Sequence, residues 1–247
     1  MIKAVTFDLW QTLIYETLEQ EIKKRNRRVE QITNLLAGAG YQTGPEAVAR
    51  AHEQVWMKCR EIWSKDIDFP IRTQILFLLE FIDSKFTAEP LPEPFLDEII
   101  EAYVSPVFME LPYLTDGVPE ILQSLTERGI KIGLISNTGR TPGRYLRDVL
   151  QKLQIGRYFI TMSFSDELLI RKPSPEIFYQ TLGKIGVTPQ ESIHIGDDPQ
   201  ADITGAKRVG MKTVWLKNNN FSLEELPPAD IIVEQLEGLS QRLLNMV

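Results

Sequence analysis

The sequence contains few of the residues that build disulfides or metal centres. Its 247 residues include one cysteine, Cys59, and two histidines, His52 and His194. One cysteine excludes an internal disulfide and a cysteine-built metal site, and two histidines are too few for a histidine-rich one. Cys59 lacks a triad-like neighbourhood, so we expect it to pack rather than to act as a nucleophile.

Long apolar runs and an excess of positive charge are also missing. No apolar run approaches the roughly 20 residues that cross a membrane, and the chain enters its first strand without the basic region or cleavage site of a leader. The formal net charge of −7 disfavours nucleic acid as the main partner. We therefore expect a cytoplasmic globular protein that binds neither nucleic acid nor membranes.

The most informative stretch is IKAVTFDLWQTL, residues 2–13. Its apolar run, interrupted only by Lys3 and Thr6, predicts a strand buried in the middle of a parallel sheet. Asp8 directly follows this strand. Ligands of an open α/β sheet bind beyond the carboxyl ends of its strands, so Asp8 is a candidate for chemistry. Taken alone, an aspartate at this point also suits a turn.

Residues 16–105 show helical periodicity and no strand pattern. Apolar residues recur at helical spacing from Thr17 to Ala39, from Pro45 to Trp63, from Ile71 to Phe81 and from Phe95 to Val104. We predict an all-helical domain over 16–105, inserted after the first strand of a core domain formed by 1–15 and 106–247.

Strands and helices alternate from Leu114 onwards. The predicted strands are Ile130 to Ile135, Tyr158 to Met162, Ser192 to Ile195, Thr213 to Leu216 and Ile231 to Val233. Such alternation implies an α/β fold, a doubly wound parallel sheet with helices on both faces and right-handed crossovers.

Several strands end in polar residues that should meet at one edge of this sheet. These residues are Asp8, Thr12, Ser136, Asn137, Lys172, Asp197, Asp198 and Asp202. Together they fit an anionic substrate. A divalent cation held by Asp8 and Asp197 would let a carboxylate approach phosphorus. Ser136, Asn137 and nearby N–H groups would donate to the transferring group, and Lys172 would balance charge. We expect Gly196 to keep side-chain bulk away from the metal.

Four segments resemble the motifs of the haloacid dehalogenase superfamily, in the usual order and spacing. They are FDLWQTL at 7–13, ISN at 135–137, KPSPEIF at 172–178 and GDDPQADITGAKRVGM at 196–211. The resemblance covers the whole chain and implies a hydrolase with a Rossmann-like core and a helical cap inserted after the first strand.

The resemblance also implies a role for each matched residue. Asp8 would be the nucleophile that forms an aspartyl intermediate, and Lys172 would stabilise that anionic intermediate. Thr12, Ser136 and Asn137 would bind phosphoryl oxygens. Asp197 would hold Mg²⁺, Asp198 would be a ligand or near-ligand, and Asp202 fits a supporting role.

Two residues of the first motif depart from the pattern of the phosphatases. The usual general acid, an aspartate two residues after the nucleophile, is replaced by Trp10, whose indole has no useful pKa for proton transfer. The backbone carbonyl of Trp10 could still bind Mg²⁺. Gln11 replaces the glycine that commonly follows and puts a second side chain at the mouth of the site.

Three functions stay open at this point. The first is a Mg²⁺-dependent phosphatase for leaving groups of low pKa. The second is a metal-free 2-haloacid dehalogenase, whose relatives carry an aromatic residue at the position of Trp10; there Asp8 would attack carbon and a cap arginine such as Arg72 would receive the halide. The third is a weak or inactive binding member. Asp197 favours the first, because a carboxylate beside Asp8 without a cation would raise the pKa of the nucleophile.

The helical insertion should select the substrate. We expect Arg25, Arg27 and Arg28 to form a solvated face. Trp56 and Trp63, seven residues apart, suit packing or an interface between cap and core. Arg140 and Arg144 follow the second motif and are expected to be exposed. Apolar faces of the insertion leave a homodimer open as an alternative.

Overall fold

The computed structural model describes residues 1–218 and 227–244. Its strands are β1 (Ala4–Phe7), β2 (Ile14–Tyr15), β3 (Tyr113–Leu114), β4 (Lys131–Ser136), β5 (Thr161–Phe164), β6 (Ser192–Gly196), β7 (Lys212–Leu216) and β8 (Ile231–Val233). Six of them form one parallel sheet in the order β5, β4, β1, β6, β7, β8. The predicted α/β fold with a parallel sheet is confirmed.

Strand β1 lies between β4 and β6, and its four residues are all buried, as expected of a central strand. Phe7, the last of them, pairs with Leu134 on one side and with Ile195 on the other. The chain therefore leaves three neighbouring parallel strands at the same edge of the sheet. The residues that follow β1, β4 and β6 are brought together there.

Twelve α-helices complete the part of the chain that the structure describes. They are α1 (Leu18–Gly38), α2 (Pro45–Trp63), α3 (Ile71–Ile82), α4 (Lys85–Ala88), α5 (Glu93–Val104), α6 (Pro106–Met109), α7 (Val118–Glu127), α8 (Gly143–Lys152), α9 (Ser165–Leu168), α10 (Pro175–Ile185), α11 (Gly205–Val209) and α12 (Leu239–Leu244). Thr17 and Gln20 exchange hydrogen bonds at the start of α1, which explains why this helix begins where the sequence predicts. Across the described ranges, no helix has both the length and the apolar composition that a bilayer requires.

The buried apolar side chains fall into separate clusters. One joins β1, β4, β6 and β7 with the helices α7 and α8. Another lies entirely within 29–104 and joins helices α1, α2, α3 and α5. This separation is what a helical insertion with its own core would produce, and the domain boundaries at 15/16 and 105/106 stay a prediction.

Some local elements differ from the predictions. Strands β2 and β3 form a two-residue antiparallel pair that is too short to show periodicity. The strand predicted over Tyr158 to Met162 is displaced, because Gly156–Tyr158 form a 3₁₀ turn and β5 begins at Thr161. Pro199–Thr204 form a π-helical turn, which leads into α11.

Candidate active site

Asp8 and Lys172 form a buried ion pair at the carboxyl edge of the sheet. The Lys172 Nζ donates to Asp8 Oδ1 at 2.5 Å, to Asp202 Oδ1 at 2.6 Å and to the carbonyl oxygen of Ile135 at 2.8 Å. All three donor protons of the ammonium are thereby used. Asp8 itself is fixed by its backbone N–H, which donates to the Ile195 carbonyl at 2.8 Å.

Asn137 holds the backbone of Lys172. Its side-chain Nδ2 donates to the Lys172 carbonyl at 2.9 Å, and its Oδ1 accepts from the Lys172 N–H at 2.8 Å. This pair of bonds fixes the stem from which the ammonium reaches Asp8. The structure therefore gives Asn137 a positioning role, and its amide keeps one further N–H for a ligand.

A third carboxylate, Asp197, completes an acidic group with Asp8 and Asp202. One oxygen of each lies within 4.8 Å of the others, and all three residues are buried. Asp197 is held by Asn218, whose Nδ2 donates to Oδ2 at 2.8 Å, and by the Trp215 indole, which donates to its carbonyl at 2.8 Å. Clustered carboxylate oxygens are the ligands that Mg²⁺ prefers.

Burial and mutual repulsion determine the proton affinities of these groups. Burial raises the pKa of Asp8 to about 7, against the opposing charge of Lys172. Burial, reinforced by the charge of Asp8, raises the pKa of Asp197 to about 8. When all three carboxylates are ionised, Lys172 offsets only one of their charges, and a cation would stabilise the ionised forms of Asp8 and Asp197. The residues present therefore fit a divalent cation between Asp8 and Asp197.

Asp202 is the permanent counterion of Lys172. Burial alone would raise its pKa, but the Lys172 ammonium and the His194 ring hold that pKa well below its usual range. For Lys172, burial opposes the charged form, yet the carboxylates of Asp202 and Asp8 raise its pKa above the ordinary value. His194 is buried, as predicted, and its Nε2 lies 3.2 Å from Asp202 Oδ1.

Gly196 leaves room for a neighbouring carboxylate. A Cβ at this position would lie 2.3 Å from the carboxyl carbon of Asp202. Gly196 therefore makes room for the Asp202 side chain, and through it for the Lys172 ion pair, while the expectation that it keeps bulk away from a metal stays a prediction.

The remaining motif residues lie at the same edge in different environments. Thr12 is fully buried, and its Oγ1 has no hydrogen-bond partner in the described ranges. Ser136 ends β4 and is buried. The carboxylate of Asp198 caps the following turn, where Oδ1 accepts from the N–H groups of Gln200 and Ala201 at 2.8 and 2.9 Å. Of the acidic residues in this loop, Asp202 rather than Asp198 shares the group with Asp8 and Asp197.

Trp10 and Gln11 line a cavity of about 700 Å³ that separates the sheet edge from helices α1 and α2. The Gln11 backbone has a φ of 61°, a left-handed conformation that explains why glycine is common at this motif position. Trp56 and Trp63 line the same cavity. Each indole stacks on an arginine that follows β4 in the chain, Trp56 on Arg140 at 4.1 Å and Trp63 on Arg171 at 4.3 Å. These contacts agree with the interface that was one of the two interpretations of these tryptophans.

Two expectations for arginines were wrong. Arg28 is buried, with 6% of its surface exposed, because its Nε donates to the carbonyl of Tyr103 at 2.7 Å. Arg72 lies outside the cavity and pairs with Glu93 through two hydrogen bonds of 2.6 and 2.7 Å. Its position gives no support to a halide-binding role.

Asp68 was missed by the sequence analysis. It follows α2 and is buried, and its Oδ2 accepts from Arg171 Nη1 at 2.6 Å and from the Ser165 hydroxyl. Its Oδ1 accepts from the Trp63 indole at 2.8 Å. Arg171 directly precedes Lys172, so this network connects the helical segment to the loop that carries Lys172. An aspartate in an irregular segment carries no periodicity signal that could have revealed it.

Comparison with known proteins places the chain in a family. The sequence profile of the haloacid dehalogenase-like hydrolases matches residues 2–210. A glyceraldehyde 3-phosphate phosphatase of Pyrococcus abyssi is 31% identical over 217 residues, which cover 88% of this chain and 82% of that protein.

Solved structures show the same fold. A HAD phosphatase from Thermococcus onnurineus matches with a TM-score of 0.64 at 23% identity, over 98% of each chain. A 2-haloacid dehalogenase from Pseudomonas syringae pv. Tomato DC3000 matches with a TM-score of 0.67 at 21% identity, over 100% of each chain. The motifs, the sheet order and the profile match agree, and this chain belongs to the haloacid dehalogenase-like hydrolases.

Proposed function

We propose that the protein is a Mg²⁺-dependent phosphatase that acts on a small phosphorylated metabolite through an aspartyl-phosphate intermediate. The observation that carries this proposal is the buried Asp197 carboxylate next to Asp8. Without a cation, that second carboxylate would hinder attack by the first on an anionic substrate. The name of the 31% identical relative, a phosphatase of a small sugar phosphate, supports the same function.

The cation would be held by Asp8, Asp197 and the backbone carbonyl of Trp10, with Asp198 or Asp202 nearby. When bound, Mg²⁺ neutralises the carboxylates and polarises the phosphoryl group.

The chain supplies the nucleophile and the electrostatic support. Lys172 holds Asp8 Oδ1, so Oδ2 is the oxygen that would attack phosphorus, forming an O–P bond while the ester P–O bond breaks. Thr12, Ser136 and the free N–H of Asn137 would donate to the phosphoryl oxygens. Water then attacks phosphorus, which releases inorganic phosphate and restores the Asp8 carboxylate.

Trp10 limits the range of leaving groups. An indole cannot give a proton to the departing oxygen, so the first step should favour acyl and aryl phosphates. Ordinary alkyl esters should react more slowly by roughly 10²- to 10⁴-fold unless the substrate or another side chain supplies the proton.

Hydrolysis of acetyl phosphate and p-nitrophenyl phosphate, with and without Mg²⁺, tests the proposal. The variant Asp8→Asn should lower Mg²⁺-dependent phosphate release by at least about 10³-fold, because the nucleophile is lost. Asp148→Asn, the same change at an exposed position of α8, is the matched control and should leave the rate unchanged.

A chloride-release assay on 2-chloropropionate covers the alternative chemistry. Metal-independent chloride release that requires Asp8 would show that the protein is a dehalogenase and not a phosphatase. Inactivity towards every compound, with Mg²⁺ present, would leave a non-catalytic binding member.

A further inference from the structure

Several basic side chains line the cavity beside Trp10. Arg28 of α1 and Arg140 of the loop after β4 are among them, as is His52 of α2. Trp10 and Asn137, which adjoin the catalytic residues, line the same cavity. A molecule bound by its phosphoryl group at Asp8 would therefore extend towards these basic groups.

Neither Arg28 nor Arg140 forms an ion pair with a carboxylate within 1–218 and 227–244. Among the other cations that line this cavity, Arg25 pairs with Glu53 at 2.8 Å and Arg171 pairs with Asp68 at 2.6 Å, while Arg60 is exposed to solvent. Lys24, on the same helix as Arg28, pairs with Glu16. Burying a charge without a partner is costly, so two arginines left without carboxylates indicate a missing anion.

Arg140 is held in place by aromatic stacking rather than by charge. Its guanidinium lies 4.1 Å from the ring centre of Trp56, and its Nε is buried without a hydrogen-bond partner among the described residues. Gln74 of α3 fixes the preceding residue by donating to the Gly139 carbonyl at 2.9 Å. The guanidinium also makes a hydrogen bond with the Tyr103 hydroxyl, and stacking orients the planar fork so that its Nε–H stays available for an anion.

His52 adds an independent observation. It is 2% exposed, and neither of its ring nitrogens has a hydrogen-bond partner in the part of the chain described. Burial, together with the charges of Arg140 and Arg28, lowers the pKa of His52 to about 3, so the ring is neutral and offers one N–H donor. Buried polar atoms are ordinarily satisfied, and three unpartnered nitrogens in one place point to a ligand.

We propose that Arg28, Arg140 and His52 bind a second anionic group of the substrate, a carboxylate or a phosphate at the end remote from the transferred phosphoryl group. This inference rests on the proposed function, because it places the reacting group at Asp8. It defines the substrate class as metabolites with two anionic ends. Glu53 Oε1 lies 3.5 Å from His52 Nδ1 and is paired with Arg25 at 2.8 Å.

Two pairs of compounds test the proposal by equilibrium binding. 3-Phosphoglycerate and glycerol 3-phosphate differ in a terminal carboxylate, and ribulose 1,5-bisphosphate and ribulose 5-phosphate differ in a second phosphate. Calorimetric titration into Asp8→Asn with Mg²⁺ avoids turnover. The doubly anionic member of at least one pair should bind roughly 10- to 100-fold more tightly, because it gains charge-assisted hydrogen bonds. The pair that shows the preference identifies the anion.

The added substitution Arg140→Met should remove this preference and leave the affinity for the singly anionic compounds within about twofold. Arg144→Met is the matched control, since Arg144 is exposed and lies outside the cavity. Arg28→Lys, which keeps the charge but loses the planar fork, gives a second variant with a reduced preference.

Equal binding within both pairs would overturn the proposal, and so would a preference that survives Arg140→Met or disappears equally in Arg144→Met. These binding results are independent of turnover. If the unsubstituted protein hydrolyses phosphate esters but shows no preference, only the second anion site fails. If the preference is present and no hydrolysis occurs, only the phosphatase proposal fails.

Discussion

The protein buries two groups of charged side chains, and they differ in how the charges are compensated. At the sheet edge, Lys172 contacts Asp8 and Asp202 within 2.6 Å. In the adjoining cavity, Arg28 and Arg140 lie near a neutral histidine and an indole, and carboxylates pair with neither of them in the described ranges.

This difference distinguishes charges that are compensated within the chain from charges that require a bound ligand. The carboxylate and ammonium groups at the sheet edge fix each other and form the same arrangement whatever the substrate is. The arginines have no internal counterion, so their arrangement is complete only with an anion. We infer that the sheet edge supplies the chemistry and the arginine group supplies selection.

Lys172→Met should break the compensated group and have the largest effect. It would leave Asp8, Asp197 and Asp202 together without their ammonium partner, and a buried charge that loses its partner costs about 3 to 5 kcal/mol. Urea denaturation without Mg²⁺ measures the loss. The control Lys207→Met removes a half-exposed pair with Asp230 and should cost less than about 1 kcal/mol. Similar losses in both variants would contradict a special role for the Lys172 cluster.

Asp68→Asn tests the charge pair that lies between the two groups. The change removes the counterion of Arg171 but keeps an oxygen for the Trp63 indole. We expect a loss of about 2 to 3 kcal/mol, since a charged hydrogen bond is lost at a buried position. Thermal unfolding measures it, with Asp66→Asn as a neighbouring control at a position whose side chain is half-buried. A loss below about 1 kcal/mol would show that the pair is not structurally important.

Asp197→Asn tests whether the sheet edge also binds an external cation. Mg²⁺ at a hundredfold excess over its dissociation constant should stabilise the unsubstituted protein by about 2.7 kcal/mol, as any ligand of the native state does. Most of this gain should be absent in Asp197→Asn and present in Asp148→Asn. The melting temperature with Mg²⁺ or with EDTA provides the measurement, and an equal gain in both variants would place the cation elsewhere.

Arg140→Met should have little effect on stability, in contrast to Lys172→Met. The substitution removes an uncompensated positive charge but also the cation–π contact with Trp56, and the two contributions oppose each other. We expect a change of less than about 1 kcal/mol in the free energy of unfolding, measured in urea without anionic ligands. A loss above about 2 kcal/mol would show that Arg140 has a structural partner.

Gln11→Gly should have the smallest effect. Glycine relieves the left-handed backbone but adds freedom to the unfolded chain, and each contribution is about 1 kcal/mol. The net change in the free energy of unfolding should stay within about 0.5 kcal/mol of zero. Gln154→Gly, at a second left-handed glutamine with a φ of 62°, is the matched control. A difference above about 1 kcal/mol between the two variants would show that the Gln11 side chain makes a contribution of its own.

The two charged groups also differ in how far the sequence reveals them. Asp8, Lys172 and Asp197 follow buried strands, and parallel topology brings strand ends together, so their proximity was predictable. Arg28 lies in a helix among charged residues, and its burial depends on the Tyr103 carbonyl, 75 residues later in the chain. Hydrophobic periodicity identifies the apolar face of one helix, but it does not identify the segment that packs against that face. The contact of Asp68 with Arg171 could not be predicted for the same reason.

The short antiparallel pair of β2 and β3 brings together the two ends of the long segment between Tyr15 and Tyr113. Ile14 faces Leu114 in that pair, which lies outside the six-stranded sheet, so the segment between these residues begins and ends at adjacent points. The entropy of closing such an excursion grows only with the logarithm of its length, by about 0.6 kcal/mol for each doubling. Segments of very different size can therefore be exchanged between these two points at nearly constant cost to the sheet, and an exchange of that kind would change substrate preference in one step.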